Sequence, residues 1–475
     1  MKWETVIGLE VHTELATNTK IFCGCSAKFG AEANTNICEV CTGMPGALPV
    51  LNKKVVEYAI KTGIATNCEI TRYTRFDRKN YFYPDLPKAY QISQLYLPIC
   101  HDGYLRIDTP DGKKAIRIHE IHMEEDAGKL IHDKDENCTL IDFNRCGIPL
   151  LEIVTEADFR NADEVISFVE KLREILQYTG VSDCKMQEGS LRVDINLSVR
   201  PKGQEEFGTR TEMKNLNSFH EIRRAICYEE KRQIELLENG KKVLQQTRRW
   251  DNSKGVSVSM RSKEDAKDYK YFPEPDLPAI QITDKMFESI KASMPELPES
   301  KRKRYTDSFG LSEYDAQLLT SDIYISEFFD NTVRQSSDCK EVANWIIGEL
   351  LRLLKENGTE TKSIPVTPKN LIDIIQMVKD NKINRTTAKE VFEKVFTESV
   401  DPIKYVQENN LLLITDFSHI KEVIEEVIRD NEKSVSDYKS GKTSALGFIV
   451  GQTMKALKGK APAQEVQKIL KERLG

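Results

Sequence analysis

The chain has 475 residues, with 69 Lys and Arg against 75 Asp and Glu, a formal net charge of −6 and an isoelectric point near 5.9. That balance excludes a global basic field for nucleic acid, so any such binding must use local patches. The length suits about three domains of roughly 150 residues each, and no apolar run approaches the ~20 residues of a membrane span.

The opening stretch MKWETVIGLEVHTEL has no apolar leader-like core and carries Glu4 early. It is expected to be the first strand of a fold and not a signal peptide. Strict alternation puts Leu9 and Val11 on one side and Glu10, His12 and Glu14 on the other. Next, Cys23-x-Cys25 is followed after twelve residues by Cys38-x-x-Cys41. Two close pairs joined by a loop suit a tetrahedral zinc site with Zn–S bonds of about 2.3 Å; the alternative is four unrelated buried thiols. Four thiolates leave no open coordination position, so the expected role is structural. The other seven of the eleven cysteines lack such pairing. With no export signal, they are expected to be reduced core thiols of a cytoplasmic protein.

DRKNYFYPDLPKAY (77–90) and DYKYFPEPDLP (268–278) are alike: aromatics, prolines and an Asp, flanked by Lys or Arg. Rigid proline-bounded loops carrying cations can hold phosphates or stack on a nucleobase. Arg78, Lys79 and Lys88 point the first loop toward function; the plainer reading is a turn beneath a packed aromatic. HMEEDAGK (122–129) crowds a histidine and three acids together, including Glu124 and Glu125. SLRVDINLSV alternates again, with Arg192 and Asp194 on its polar side, and TRTEMKNLN supplies Arg210, Glu212 and Lys214. These segments predict a mostly antiparallel sheet with one face buried. Its other face would carry Glu10, His12, Asp194 and Glu212, with Glu125. Carboxylates plus one imidazole suit Mg²⁺ or Mn²⁺, especially where phosphates complete the shell. The competing reading is a salt-bridged solvent face, because Arg192, Arg210, Lys214 and Lys129 are all close in sequence.

From about residue 293 the pattern turns helical, after a joint at SMPELPES (293–300), and a second joint lies at KSIPVTPKN (362–370). From Lys433 to Gly475 there are nine Lys or Arg against three Asp or Glu. Gly441-Lys442-Thr443 suggests a phosphate-binding loop, but the glycine expected five positions earlier is Ser436. An apolar, small-residue helix flanked by lysines is expected instead.

IGLEVHTEL, FDRKNYFYPDLPKAYQISQ, HMEEDAGK, VSDCKMQEGSLRVDINLS, EMKNLNSF and YFPEPDLP together closely resemble the B-subunit family of bacterial aspartyl/glutamyl-tRNA amidotransferases. INRTTAKEVFEKV and YKSGKTSALGFIVGQTMKA extend the resemblance over essentially the whole chain. It implies an α+β fold: a glutamine-synthetase-like antiparallel cradle (1–292) with the four-cysteine zinc site, a helical domain (293–407) and a small tRNA-binding tail (408–475). It implies ATP- and Mg²⁺-dependent phosphorylation of the side-chain carboxylate of Glu-tRNA(Gln) or Asp-tRNA(Asn). Ammonia from an amidase A subunit then displaces phosphate, and a small C subunit ties A and B together. Carried over by position, Glu10, His12, Glu125, Asp194 and Glu212 are the expected Mg²⁺ ligands. Glu125, Lys79 and Glu124 are the expected catalytic residues, and Arg78, Lys88, Arg192 and Arg210 the expected nucleotide-binding cations. Cys23, Cys25, Cys38 and Cys41 match a zinc-bearing branch of that family.

Two other classes are compatible with the residues. A stand-alone carboxylate–amine ligase would act without partners and leave the helical tail unexplained. A non-enzymatic zinc-bearing RNA-binding protein would not need the carboxylates.

Overall fold

The computed structural model describes residues 2–133, 135, 137–262, 269–413, 417–457, 461 and 463–474. The chain divides into two compact units, one ending at Pro298 and the other beginning at Glu299.

The first unit is built on strands. In chain order they are β1 (Trp3–Glu14), β2 (Glu69–Ile70), β3 (Tyr73–Thr74), β4 (Asp77–Asn80), β5 (Tyr90–Ser93), β6 (Cys100–Thr109), β7 (Gly112–Glu125) and β8 (Lys129–Asp133). There follow β9 (Cys138–Asp142), β10 (Pro149–Thr155), β11 (Leu191–Pro201), β12 (Thr211–Lys214), β13 (Gln246–Asp251), β14 (Val256–Ser262), β15 (Phe272–Pro273) and β16 (Ile280–Gln281). Nine of these form one sheet in the order β14-β13-β12-β11-β1-β10-β7-β6-β2. Every pair in it is antiparallel except β12 with β13, so the expectation of a mostly antiparallel sheet holds.

One face of this sheet is apolar because alternate residues are apolar. Leu9 and Val11 of β1, Met123 of β7, Ile153 of β10 and Val193 and Ile195 of β11 are essentially fully buried. Three helices take part in the same core: α1 (Lys53–Ala65), α2 (Ala162–Tyr178) and α3 (Phe219–Glu238). Each begins where a side chain accepts from a free N–H: Asn52 from Lys54, Asn161 from Glu164, Ser218 from Glu221. Asp163 and Glu164 in the first turn of α2 add a favourable dipole contact. Its stripe of Val165, Phe168, Leu172 and Leu176 is wholly buried, at about 1.5–3 kcal/mol per side chain. A helix cannot satisfy a polar sheet face in the same way, so the opposite, charged face is left for chemistry.

The second unit is helical throughout its described residues. Helices between Pro298–Phe309 and Pro402–Glu408 enclose a core around Tyr305, Trp345, Ile346 and Phe392. A separate apolar cluster joins Ile420 and Ile424 with Leu446, Ile449, Val466 and Leu470. The Gly441-Lys442-Thr443 stretch lies between the helices Glu432–Lys439 and Ser444–Ala456. No strand precedes it, as a phosphate-binding loop of that type would require.

Candidate active site on the polar face of the sheet

Strand register sets the site. β10 pairs with β1 so that Glu152 lies opposite His12, and with β7 so that Glu152 also lies opposite His122 and Leu150 opposite Glu124. On the other side of β1, Asp194 of β11 lies opposite Glu10 and Arg192 opposite His12. Glu212 of β12 follows, opposite Asn196. Glu10, His12, His122, Glu124, Glu152, Asp194 and Glu212 thus share one face, while a register shift in β7 before Glu120 turns Ile116 and Ile118 into the apolar core.

Two ligand sets result. His12, Glu124 and Glu152 form one, and Glu10, Asp194 and Glu212 the other; within each, the donor atoms lie within 4.8 Å of one another. Glu10 and His12 are two residues apart on β1, so the sets are separated by about 7 Å along the strand.

In the first set, His12 Nε2 is 3.5 Å from Glu152 Oε1 and 3.8 Å from Glu124 Oε1. His122 Nδ1 lies 3.6 Å from Glu152 Oε2, and its Nε2 lies 3.0 Å from Glu120 Oε1. Burial opposes charge on both imidazoles, but the hydrogen bonds and negative charges of Glu152 and its neighbours prevail and lift each to about 9. Burial, then the charge of Glu152, pushes the Glu124 carboxyl up, while His12 and Lys79 pull against that. Glu152 itself is held well below the usual range: burial works against this, but both histidines outweigh it. Ser93 Oγ donates to Glu124 Oε2 at 3.2 Å.

In the second set, the Lys214 ammonium lies 2.6 Å from Asp194 Oδ2 and 3.0 Å from Glu212 Oε1. Asn196 donates to Glu10 at 2.9 Å and Thr247 to Glu212 at 2.5 Å. Three carboxylates against one ammonium leave a net of two negative charges, which matches a divalent cation.

The expected cations and Glu125 divide differently. The five-ligand set expected from sequence does not form one cluster. Glu125 has the parity of Met123, not of Glu124, and turns away from the polar face because successive strand residues alternate. It accepts from Lys88 Nζ and, at 2.9 Å, from the Ile92 N–H. Arg78 is not open to a nucleotide. It forks onto Glu274 at 2.7 and 2.8 Å, contacts Asp276 at 2.8 Å, and stacks 4.2 Å above Tyr90. β15 pairs with β4, so the two proline-rich stretches are joined, and Arg78 clamps them; Asp268 lies outside the described residues. Arg192 is bound to Asp126 at 2.8 Å, and Arg210 is exposed just before β12.

Lys79 lies 5.2 Å from the Tyr269 ring, and its charge reaches Glu124. Burial pushes the Tyr81 and Tyr271 phenols up, and the charges of Glu124 and Glu152 are among the further causes. Tyr81, Tyr269 and Tyr271 contact edge to face, with centroids 5.8 and 6.2 Å apart. These aromatics therefore flank the first ligand set.

Sequence reasoning missed Glu152 and His122. Glu152 had a signal: it is the only charged residue of β10, PLLEIVT.

The four cysteines Cys23, Cys25, Cys38 and Cys41 come together, every sulfur within 4.8 Å of the others. Cys38 and Cys41 sulfurs are 3.9 Å apart, against about 3.8 Å for a tetrahedron with 2.3 Å Zn–S bonds. Hydrogen bonding from Cys23 draws the Cys41 thiol down to about 4 against burial, helped by the Cys38 N–H and Lys20. Burial, then hydrogen bonding with Cys38, pushes Cys25 up to about 11. The cluster thus favours a shared negative charge. Gly43 is required at φ +70°, and a Cβ there would sit 2.5 Å from Lys88 Cγ, so the cysteine loop packs directly on the Lys88 stem.

Comparison with known proteins shows the family. Residues 5–288 match the GatB/GatE catalytic domain family, and residues 327–474 match the family described as GatB domain. The B subunit of aspartyl/glutamyl-tRNA(Asn/Gln) amidotransferase from Lachnoclostridium phytofermentans is 57% identical over 472 residues, covering 99% of each chain. The protein of the same name from Caldicellulosiruptor saccharolyticus is 57% identical over 477 residues, covering 100% of this chain and 99% of the relative. That of Thermoanaerobacter sp. is 52% identical over 474 residues, covering all of both. By both kinds of likeness, over nearly its whole length, the chain belongs to the family of aspartyl/glutamyl-tRNA(Asn/Gln) amidotransferase B subunits.

Proposed function

We propose that this chain carries the synthetic half of a tRNA-dependent amidotransferase. It phosphorylates the side-chain carboxylate of Glu-tRNA(Gln), Asp-tRNA(Asn) or both at the expense of ATP. Ammonia released by an amidase A subunit then displaces phosphate to give the amide, with a small C subunit joining A and B. The names of the relatives support the reaction class. The observation that carries the phosphorylation step is the pair of ligand sets on one sheet face. Neither alternative class accounts for two such sets beside a family match of full length.

The residues present fit Mg²⁺. Both sets offer hard carboxylate oxygens, one with an imidazole, as this ion accepts. Glu10, Asp194 and Glu212 would hold one ion, and His12, Glu124 and Glu152 another. A divalent cation held there would supply positive charge to offset that of a transferring phosphoryl group. The chain supplies the rest. Lys79 steadies negative charge beside Glu124. The tyrosines flank the site and limit water. Glu125, expected to help receive ammonia, instead lies on the far side of β7 with Lys88, apart from both ligand sets. Lys214 favours the alternative reading of a salt-bridged face, but one ammonium cannot balance three carboxylates.

We assign 1–292 to a cradle of glutamine-synthetase type, 293–407 to a helical domain and 408–475 to a tRNA-binding tail. The excess of nine basic over three acidic residues after Lys433 supports the last assignment; positions 458 and 460 in it lie outside the described residues. No described helix is long and apolar enough to cross a membrane, and the cytoplasm, where aminoacyl-tRNA is used, is the proposed location.

The test is reconstitution with an amidase and a small helical subunit, offering each misacylated tRNA in turn. Amide formation that needs ATP, Mg²⁺ and this chain is expected for at least one of them. Amidation by this chain alone, from free ammonia and a free amino acid, would favour a stand-alone ligase.

The four thiols fit structural Zn²⁺ by donor chemistry and by spacing. About one tightly held zinc per chain is expected on metal analysis. Cys38→Ser should lower the melting temperature while leaving phosphorylation by the folded fraction near wild type, because metal binding is coupled to folding. Freely titratable thiols in a zinc-free native chain would refute this.

A further inference from the structure

Lys20 is fully buried, at 0% exposure, and the proposed reaction does not use it. An isolated ammonium taken out of water costs several kcal/mol or more unless an anion compensates. Its Nζ has two partners, Cys41 Sγ at 3.5 Å and the Phe143 carbonyl at 3.5 Å. Among the described residues no carboxylate pairs with it. A carbonyl at that distance is a weak acceptor, so the compensating anion must be the sulfur.

The neighbourhood supports this division. Lys20, Cys41, Lys88 and Glu125 line one small recess. Lys88 takes Glu125, and Lys20 takes Cys41. Lys20 is also fixed along its backbone: its N–H donates to Cys25 O at 3.0 Å, and the next N–H donates to Gly147 O at 2.9 Å. Backbone and side chain of Lys20 thus each engage one of the two cysteine pairs. Cys41 Sγ also receives the Cys38 N–H at 3.2 Å.

We propose that Lys20 is the counter-charge of the cysteine centre, a positioning residue that stabilises its bound metal and shields Cys41 from electrophiles. The proposal rests on the zinc reading given above. Four thiolates around Zn²⁺ carry two net negative charges. One ammonium donating to a sulfur halves that charge and lowers the sulfur's electron density, as partners of metal ligands generally do.

The experiment uses the full-length chain, with zinc content measured first. Lys20→Gln and Lys20→Met keep the packing of the stem but remove the charge. Both are expected to weaken zinc retention against a chelator by about 10- to 100-fold, and to speed alkylation of Cys41 by iodoacetamide. Lys20→Arg keeps the charge and is expected to restore both. Neutral variants that hold zinc and resist alkylation like the wild type would overturn the role of Lys20. A zinc-free wild-type chain would instead overturn the metal reading itself, and the two failures are distinct because the first measurement separates them.

Discussion

Glu152→Gln is expected to reduce phosphorylation of the tRNA-borne carboxylate by about 10²-fold or more, and to lower stability at the pH values where both histidines are charged. Glu152 faces His12 and His122 at once, and it is one of three donors in the first ligand set. Gln keeps the shape and one acceptor but removes the charge. The same change should show in the imidazoles. Without divalent cation, both histidines are held near 9, because Glu152 and its neighbours outweigh burial. A raised histidine value means that these contacts add stability below about 6.5, the ordinary value, and lose it as pH climbs through 9. In Glu152→Gln both titrations should move down, and the pH range of that stability should narrow. A cation binding His12 must displace its proton, so Mn²⁺ or Mg²⁺ should lower the His12 titration in the wild type and do so less in the variant. Nuclear magnetic resonance of the ring protons reads the histidines, and single-turnover kinetics read the chemistry. Wild-type turnover together with unmoved histidines would mean that Glu152 is no part of the site.

The parts of this site that were legible in the sequence are those set by local spacing. Glu10 and His12 declare a shared face because β1 alternates without interruption, and Asp194 does so on β11. The cysteine pairs are equally local, and their four sulfurs meet. Helical periodicity after residue 293 was visible for the same reason. What register decides was not visible. In HMEEDAGK two adjacent glutamates compete, and only the pairing of β7 with β10 puts Glu124 on the charged face and Glu125 on the other. Arg78 looked like a free cation because its partner, Glu274, lies 196 residues away. Lys20 gave no signal at all, since nothing local distinguishes a lysine beside a sulfur from a lysine in water. Glu152 is the instructive omission: a lone carboxylate in an apolar strand is costly unless it has partners, and that cost was readable in PLLEIVT.

Asp194→Ala should have the other large effect, and it separates the metal reading of the second set from the salt-bridge reading. Asp194 lies opposite Glu10 in the ladder and accepts from Lys214. If the acids only balance Lys214, Glu212 still faces that ammonium at 3.0 Å, and loss of Asp194 should cost little beyond a partly exposed ion pair, about 1 kcal/mol or less. If the set holds a divalent cation, the change leaves two carboxylates against one ammonium, and the net charge falls from two to one. Phosphorylation should then drop by about 10²-fold or more at low Mg²⁺. It should recover in part as Mg²⁺ is raised, because weakened binding yields to mass action. Lys214→Met provides the converse: removing the competing ammonium should tighten Mg²⁺ binding. Basal glutaminase activity of the partner amidase should persist in Asp194→Ala, since the substituted atoms belong to the other half of the reaction. Wild-type phosphorylation by Asp194→Ala at low Mg²⁺ would assign Glu10, Asp194 and Glu212 to the salt-bridged face and leave His12, Glu124 and Glu152 as the remaining candidate Mg²⁺ ligands among the described residues.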